Sequence, residues 1–478
     1  MTTPSALRPR VTRRRFLRST AATAAVFSIV PRHVLGGARF VAPSEKVNIA
    51  VIGCGSQGMA NIGTLFLHPD VQIIAVADPV TALEPNANNP RPNAGRKVAQ
   101  DAIQKHYSAK TPNYKVADYE DFRVLLEKES AVDAVLCATP DHQHAIVSIR
   151  SMLHGKHVYC EKPLTHNVWE ARQVAKVASE TGVATQLGNQ GHSGDSIRTT
   201  CEIIWSGEVG QVHEVHAWTS GGRSNRNYSG GLPPPEPAPD GTNWDLWLGA
   251  REARPFSHLY FPGKWRDFWD FGTGRIGDFF CHNFDPACWA LDLRNPLTVE
   301  ASAVGGVDSY VTPTAATYTY EFGPRTGAHG PMPAVKAVWY DGGLMPPRPA
   351  MMETDDQLGG DGNGILMIGD KGALTCPGWA GHAVLLPGSR DAEYKRPTPT
   401  LPRSKGHHRD WIDACKGGPP ASSNFGYGAA LTEIGLLGIA ALRTGKKLYW
   451  DAQAIKASNA PEADRFLHEQ YRQGWEIA

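Results

Sequence analysis

One stretch of this chain limits its fold more than any other: a short apolar run that leads directly into a glycine-rich turn. Residues Val47–Ile52 are apolar and largely β-branched, which predicts a buried strand, and Gly53-Cys54-Gly55-Ser56-Gln57-Gly58 follows at once. A second apolar run, Val71–Ala77, ends at Asp78, twenty residues after Gly58. Strand, glycine turn, helix, strand and acid in this register predict a dinucleotide site. The pyrophosphate would lie against bare backbone, and Asp78 would accept hydrogen bonds from a ribose hydroxyl.

Length, charge and cysteine content narrow the classes of protein that remain. A chain of 478 residues is long enough for two or more domains. Lys and Arg number 48 against 47 Asp and Glu, so net charge favours neither nucleic acid nor an anionic membrane as partner. The eight cysteines lack a metal-ligand spacing, and we expect no metal. Cys281 and Cys288, two helical turns apart, are too distant to bridge.

The first 38 residues resemble a targeting segment. Twin arginines at Arg13 and Arg14 precede a modestly apolar run, residues 21–30, that is too short to span a bilayer. This pattern predicts a twin-arginine signal, with the export machinery as a partner. We therefore expect a periplasmic protein, or one anchored to the membrane and facing the periplasm. A basic leader without a targeting function is the alternative.

Residues 46–190 alternate between predicted strands and helices. Strands are predicted to end at Thr139-Pro140 and at Glu161-Lys162-Pro163, and a helix is expected from Asn167, with Glu170 completing a capping box, to Gly182. Such alternation predicts an α/β Rossmann domain with a doubly wound parallel sheet. Ligands bind beyond the carboxyl ends of these strands, where Asp78 also lies.

Residues 191–478 have a different pattern and predict an α+β domain with a large, mainly antiparallel open sheet. The predicted strands are Val212–Thr219, Thr298–Val307, Ala315–Phe322, Val335–Tyr340, Gly364–Ile368, His382–Leu386 and Lys447–Trp450. Helices are expected over Lys405–Lys416 and Gly426–Thr444. Between Ser220 and Gly274 a proline-rich insertion turns aromatic, and its rings either form a carbohydrate pocket or pack a loop that also makes an oligomer contact.

Two clusters offer groups that can move a proton. Lys162 follows a predicted strand that ends at the cofactor crevice, where desolvation favours a reactive amine. Asp278 and His282 are four residues apart, on one face of a predicted helix, and Asp285 extends that face. A carboxylate beside an imidazole suits a general base, although a structural pair is the simpler reading of the helix alone.

Taken together, these motifs resemble the Gfo/Idh/MocA family of NAD(P)-dependent sugar oxidoreductases. The resemblance rests on the glycine turn, Asp78, Thr139-Pro140 with His144, Glu161-Lys162-Pro163, and Gly277-Asp278 with His282 and Asp285. The twin arginines, residues 265–270 and the C-terminal Tyr471-Arg472-Gln473-Gly474-Trp475 look like the exported bacterial branch of that family.

The resemblance implies a role for each matching residue. Lys162 would be catalytic, before a cis Pro163, His282 would be the general base, and Asp278 would orient it and bind substrate. Thr139, Pro140, His144 and Glu161 would line the cofactor cleft. Weaker candidates for substrate contact are Gln190, His192, Trp265 and Asp285.

The expected cofactor is NAD, and the expected partners are a small carbohydrate and further copies of the chain, joined through the C-terminal sheet. NADP is the alternative cofactor, because its 2′-phosphate could bind to Arg91, Arg96 and Lys97 in or near the long loop 84–93.

Export favours a dinucleotide that leaves the cytoplasm already bound, since free NAD is scarce outside. The expected reaction is hydride transfer between a sugar or polyol hydroxyl and that cofactor. The alternatives are NAD-dependent glycoside hydrolysis or lysis through a transient keto-sugar, and a non-catalytic dinucleotide-binding protein.

Overall fold

A six-stranded parallel sheet forms the first half of the fold. The computed structural model describes residues 42, 45–83, 94–224, 227–228 and 230–477, and residues 47–478 form one unit. The sheet order is β3-β2-β1-β4-β5-β6, and every pair is parallel. Its strands are β1 Val47–Ile52, β2 Val71–Ala77, β3 Ala117–Tyr119, β4 Ala134–Cys137, β5 His157–Glu161 and β6 Thr185–Gly188. The predicted doubly wound architecture is confirmed.

Helices connect these strands on both faces of the sheet. They are α1 Ser56–Leu65, α2 Arg96–Ser108, α3 Phe122–Lys128, α4 Asp141–Leu153 and α5 Val168–Thr181. The predicted capping box of α5 is present: Asn167 accepts from the backbone of Glu170, whose side chain accepts from the backbone of Asn167, and Gly182 ends the helix at φ +66°.

A nine-stranded mixed sheet forms the second half. Its order is β15-β14-β13-β7-β12-β9-β8-β16-β17, antiparallel except for the β12–β7 pair. The strands are β7 Val212–Thr219, β8 Thr298–Ala303, β9 Ala316–Phe322, β12 Val335–Tyr340, β13 Asn363–Gly369, β14 Gly372–Pro377, β15 Val384–Leu386, β16 Leu448–Asp451 and β17 Lys456–Ala457. A separate hairpin pairs β10 Arg325–Gly327 with β11 Gly330–Met332.

Several details of this sheet differ from the sequence prediction, most of them shifts of a strand end by one or two residues. Strand β8 ends at Ala303 and not at Val307, because Gly305 and Gly306 turn the chain at φ +80° and +85°. The sequence analysis also missed β17 and β14. The six residues of β14 show no alternation, begin with Gly372 and end with Pro377.

The remaining helices of the described residues follow the parallel sheet along the chain. They are α6 Asp195–Trp205, α7 Trp244–Leu248, α8 Gly274–Asn283, α9 Asp285–Ala290, α10 Gly388–Glu393, α11 His407–Cys415, α12 Phe425–Thr444 and α13 Asp464–Leu467. Helix α12 is apolar and long enough to cross a membrane, yet 83% of its most apolar window is buried inside the protein. It packs against α5, α8 and β8, which joins the two halves of the fold around one core.

The aromatic insertion packs mainly against itself. Its buried members form a cluster with Val80 that follows β2, and they are Trp247, Phe256, Tyr260, Phe261, Phe268 and Phe271. The proline-rich start of the insertion contains no helix or strand among its described residues. Loop packing, one of the two readings of this segment, therefore accounts for most of its rings.

Candidate active site

The glycine turn between β1 and α1 has the shape that a dinucleotide needs. Gly53 has φ +91°, and a Cβ added there would lie 2.6 Å from the backbone carbonyl carbon of Ala138. A Cβ on Gly58 would lie 2.0 Å from the carbonyl oxygen of Gly53. By contrast, a Cβ on Gly55 would meet nothing within 4 Å, and no side chain caps the first amides of α1. The turn therefore leaves open space at a helix N-terminus, which suits a pyrophosphate.

Asp78 organises this turn from the end of β2. Its carboxylate accepts hydrogen bonds from the backbone N–H of Cys54, at 2.7 Å, and of Val80, at 2.8 Å. Burial raises the pKa of Asp78 to about 6, although these two amides and Arg96 oppose the rise. The side chain thus lines the cleft and also fixes the backbone of the turn.

A cleft of about 390 Å³ crosses the carboxyl ends of the parallel strands. The predicted cofactor residues that line it are Gly53, Gly55, Ser56, Gln57, Asp78, Thr139, Pro140, His144, Glu161 and Lys162. Side chains from the second half of the chain also line it, among them Trp265, Arg266, Arg275 and Asp278. Gly58 lies behind the turn, packed on Gly53.

Lys162 and Asp278 meet in this cleft from different halves of the fold. The peptide before Pro163 is cis, as the resemblance implies. The Lys162 Nζ donates to Asp278 Oδ1 at 2.6 Å and to the Asp278 backbone oxygen at 2.9 Å. Arg275 donates to Asp278 Oδ2 at 2.9 Å, and the Nε atom of Arg266 lies 3.4 Å from Oδ1.

These three cations determine the protonation state of the Asp278 carboxylate. Burial alone would raise its pKa, but Arg266, Lys162 and Arg275 hold the pKa of Asp278 well below its usual range. The carboxylate is therefore charged at neutral pH and keeps the Lys162 amine in place. Sequence analysis assigned neither Arg266 nor Arg275 a role. The spacing of three residues between Arg275 and Asp278 on one helix was a signal that could have revealed Arg275, whereas only proximity in space reveals Arg266.

His282 lies one turn of α8 beyond Asp278 but does not hydrogen-bond to it. The implied role of Asp278 in orienting this imidazole is therefore wrong for this geometry, because the three cations take both carboxylate oxygens. His282 is 5% exposed, and its Nδ1 is buried without a hydrogen-bond partner among the described residues. Burial, with the nearby charge of Lys162, lowers the pKa of His282 to about 3. It packs beside Trp379, at 5.7 Å between ring centroids, and is not among the described residues that line the cleft.

Glu161 and His144 are held rigidly beside Lys162. The Glu161 carboxylate accepts from Asn61 at 3.0 Å and Gln57 at 3.2 Å, and burial raises its pKa. The His144 Nδ1 lies 2.6 Å from the carbonyl oxygen of Pro163, and its Nε2 lies 2.8 Å from that of Thr139. His144 thus connects the ends of β4 and β5.

The four weaker substrate candidates do not lie together. Trp265 lines the cleft, and Gln190 donates to Glu161 Oε1 at 3.3 Å. His192 and Asp285 are each 1% exposed and pair with each other, with 3.0 Å between His192 Nδ1 and Asp285 Oδ2. This pair is not among the described residues that line the cleft, and Asn189 and Tyr427 also bind Asp285, which is typical of a structural core network.

The cations considered for a 2′-phosphate have other partners. Lys97 Nζ donates to Asp118 Oδ1 at 2.9 Å, and Arg96 Nε lies 3.5 Å from Asp118 Oδ2. Loop residues 84–93, including Arg91, lie outside the described residues, as does the twin-arginine segment.

One group of side chains in the described part of the chain has the spacing of metal ligands. It comprises Cys137, His144 and Cys160, whose ligand atoms lie within 4.8 Å of one another. Both His144 nitrogens already face carbonyl oxygens. Because the imidazole has no nitrogen left to coordinate an ion, we assign no metal to this group.

Comparison with known families gives two matches. A model described as "Oxidoreductase family, NAD-binding Rossmann fold" matches residues 47–189. A second, "Oxidoreductase family, C-terminal alpha/beta domain", matches residues 199–343. Together they cover more than half of the chain.

Similar proteins include enzymes of two kinds. The scyllo-inositol 2-dehydrogenase (NAD(+)) of Bacillus subtilis strain 168 is 26% identical over 168 residues, which is 35% of this chain and 42% of that protein. A glycosyl hydrolase family 109 protein of Streptomyces filamentosus is 27% identical over 295 residues, which is 60% of this chain and 50% of that protein. The chain thus spans half or less of the length of these relatives.

The fold itself matches solved structures over most of its length. The WlbA dehydrogenase from Bordetella pertussis, solved in complex with NADH and UDP-GlcNAcA, superposes with a TM-score of 0.54 at 15% identity. The superposition covers 85% of this chain and 99% of that one. This likeness concerns the fold.

Proposed function

This chain belongs to the Gfo/Idh/MocA family of NAD-binding oxidoreductases, and we propose that it transfers hydride between a sugar or polyol hydroxyl and a tightly bound NAD. The observation that carries the proposal is the Lys162–Asp278 contact of 2.6 Å inside the cofactor cleft. An amine held by a carboxylate at the crevice of a dinucleotide domain is suited to binding a reacting hydroxyl.

The residues of the cleft fit the cofactor. The open space at Gly55 and the uncapped amides of α1 would hold its pyrophosphate, and Asp78 its ribose. When bound, NAD supplies the hydride acceptor. Asp78, with its pKa raised to about 6, is ionised above that pH and can then accept the ribose hydroxyl protons.

Proton movement at the substrate oxygen is assigned first to Lys162, which lines the cleft. Lys162, fixed by Asp278, donates a hydrogen bond to the substrate oxygen and polarises it. His282, which the resemblance implies as the general base, is buried and is not among the described residues that line the cleft, so its acceptance of the hydroxyl proton stays a prediction. With its pKa at about 3, His282 is neutral at pH 7 and a weak base, so it depends on that polarisation by Lys162.

The test is to add a panel of sugars and polyols to the purified holoprotein and to record absorbance of the reduced nicotinamide. We expect at least one member of the panel to reduce the bound cofactor. Denaturing the purified protein should release about one nicotinamide cofactor per chain. If no sugar produces reduced cofactor and no nicotinamide is released, the proposal is wrong.

A second candidate is NAD-dependent glycoside hydrolysis or lysis through a transient keto-sugar. It is favoured by the similarity to a glycosyl hydrolase family 109 protein over 295 residues. Product analysis separates the two reactions. Free sugar or an unsaturated product, released without net cofactor reduction, indicates hydrolysis or lysis, and an oxidised sugar with reduced cofactor indicates a dehydrogenase.

We also propose export by the twin-arginine route, to the periplasm or to its side of the membrane. The sequence at Arg13 and Arg14 supports it. Replacing both by lysine should leave the protein in the cytoplasm, as measured by cell fractionation, and unchanged location would contradict the proposal.

We further propose a homo-oligomer that forms through the outer face of the nine-stranded sheet. Thr317, Thr319, Glu321 and Lys336 alternate with buried residues along β9 and β12, and the open part of this face bears them. Sedimentation should give more than one chain per particle, and Thr319→Arg should dissociate it.

A further inference from the structure

The C-terminal tail, residues 471–477, returns to the parallel sheet and reaches the cofactor cleft. Trp475 lines this cleft together with Glu120, Asp121 and Phe122, which follow β3. Its side chain is 4% exposed, and its ring centroid lies 6.3 Å from that of Phe122. The guanidinium carbon of Arg123 lies 4.1 Å from the centroid of the same indole. Trp475 is therefore a fixed part of the cleft wall.

The strand order identifies which end of the cleft Trp475 occupies. In the order β3-β2-β1-β4-β5-β6, Lys162 follows β5 on one side of β1, and Trp475 lies beyond β3 on the other. A dinucleotide crosses such a sheet with its pyrophosphate at the turn after β1. When the nicotinamide lies near Lys162, the adenosine half lies on the β2–β3 side, next to Trp475.

Several contacts hold the tail in this position. Tyr471 donates to Glu170 of α5 at 2.8 Å, and the backbone N–H of Arg472 donates to Ala250 at 3.0 Å. The Arg472 side chain pairs with Asp245 of α7. These partners lie in the dinucleotide-binding half and in the aromatic insertion, so the tail joins both.

We propose that Trp475 is a cofactor-binding residue that closes the adenosine end of the cleft, so that release of the dinucleotide requires displacement of the C-terminal tail. The ligand is the adenosine half of NAD, which an indole ring contacts through its apolar faces. The inference rests on the tightly held cofactor proposed above and adds its structural cause. The insertion walls the same cleft with Trp247, Phe261 and Trp265, so two segments outside the parallel sheet enclose the cofactor.

The experiment measures how fast NADH leaves the holoprotein when excess NAD is added as a trap, followed by NADH fluorescence. Trp475→Ala should release NADH at least tenfold faster than the wild type, and Trp475→Phe should lie between them. Trp379→Ala is the matched control, because Trp379 is 46% exposed and is not among the described residues that line the cleft. Its release rate should stay within twofold of the wild type. A Trp475→Ala rate within twofold of the wild type overturns the proposal.

A second measurement needs no variant and applies even if Trp475→Ala does not fold. Bound NADH should slow deuterium uptake by the backbone amides of residues 471–477 in the wild-type chain, relative to the cofactor-free protein. Equal uptake in both states overturns the proposal. Failure of the proposed reaction would give a different result. If NADH release is slow but no sugar changes the bound cofactor, hydride transfer is contradicted and the role of the tail is not.

Discussion

At the scale of single residues, the active site depends on how one carboxylate is shared. Asp278 binds Lys162, Arg275 and Arg266 at once, and two of these cations come from the segment that also carries Asp278. A buried carboxylate with three cationic neighbours keeps its charge, and it can hold an amine without taking its proton. Lys162 is therefore the residue whose loss should affect the chemistry most directly.

Replacing Lys162 by methionine should reduce the rate of cofactor reduction by about 10²–10⁴-fold, the usual contribution of a positioned proton-transfer group. The fold should persist, because Arg266 and Arg275 still neutralise Asp278. Stopped-flow absorbance of the reduced nicotinamide measures the rate. Lys128→Met, at an exposed position on α3, is the control and should react like the wild type. Equal rates for both variants would contradict a catalytic role for Lys162.

His282 should make the protein less stable in acid. Its pKa is about 3 in the folded chain against an ordinary value of 6.5, so between these pH values the unfolded chain binds one more proton. The free energy of unfolding then falls as pH decreases, by about 1.4 kcal/mol per pH unit from this group.

His282→Gln should lack this contribution. Its unfolding free energy, measured with urea from pH 7 to pH 4, should depend less steeply on pH than that of the wild type. His154→Gln, at the exposed end of α4, controls for the substitution itself. Parallel profiles for the wild type and His282→Gln would contradict the low pKa.

At the scale of elements, the glycine turn contains one glycine that the fold requires and another that only a bound ligand requires. Gly53 is required by the fold, since its φ is +91° and a Cβ would lie 2.6 Å from Ala138. Gly55 has an extended backbone and open space around it, so its missing side chain matters only to a ligand. Gly63, further along α1, also has open space but lies outside the turn.

The corresponding alanine variants should therefore behave in three different ways. Gly53→Ala should lower the free energy of unfolding by several kcal/mol, since it combines a backbone clash with a left-handed conformation. Gly55→Ala should fold normally and weaken NAD binding at least tenfold. Gly63→Ala should bind NAD normally and gain about 1 kcal/mol, as alanine does over glycine in a helix. Calorimetric titration and urea unfolding measure both quantities, and normal NAD affinity in Gly55→Ala would contradict the phosphate site.

The same scale shows how far the sequence predicts this protein. The apolar run Val71–Ala77 and the capping box at Asn167 were sufficient to predict a strand and a helix, because the signals of a buried strand and of a helix start are local. Strand β14 was missed, since its pairing with β13 and β15, and not its own pattern, makes it a strand. The contacts of Asp278 with Lys162 and Arg266 were missed for a related reason. Spacing along a helix predicts a neighbour such as His282, but it says nothing about cations outside that helix, such as Arg266 and the more distant Lys162.

At the scale of the whole molecule, the cofactor joins regions that are distant in sequence. The cleft is lined by the parallel sheet, by the aromatic insertion, by α8 and by the C-terminal tail. A ligand that contacts all of these stabilises the folded chain by mass action. The stability of the molecule should therefore report which dinucleotide the cleft accepts.

NAD should stabilise this protein more than NADP does. The two described cations near the ribose end, Arg96 and Lys97, both lie against Asp118, and Asp78 adds a carboxylate where a 2′-phosphate would approach. With NAD at one hundred times its dissociation constant, the free energy of unfolding should rise by about 2.7 kcal/mol. NADP at the same concentration should give less than half of this rise, measured by urea unfolding. Asp118→Asn leaves both cations without their acidic partner, so it should strengthen NADP binding and leave NAD binding unchanged. Equal stabilisation of the wild type by the two dinucleotides would contradict this selectivity.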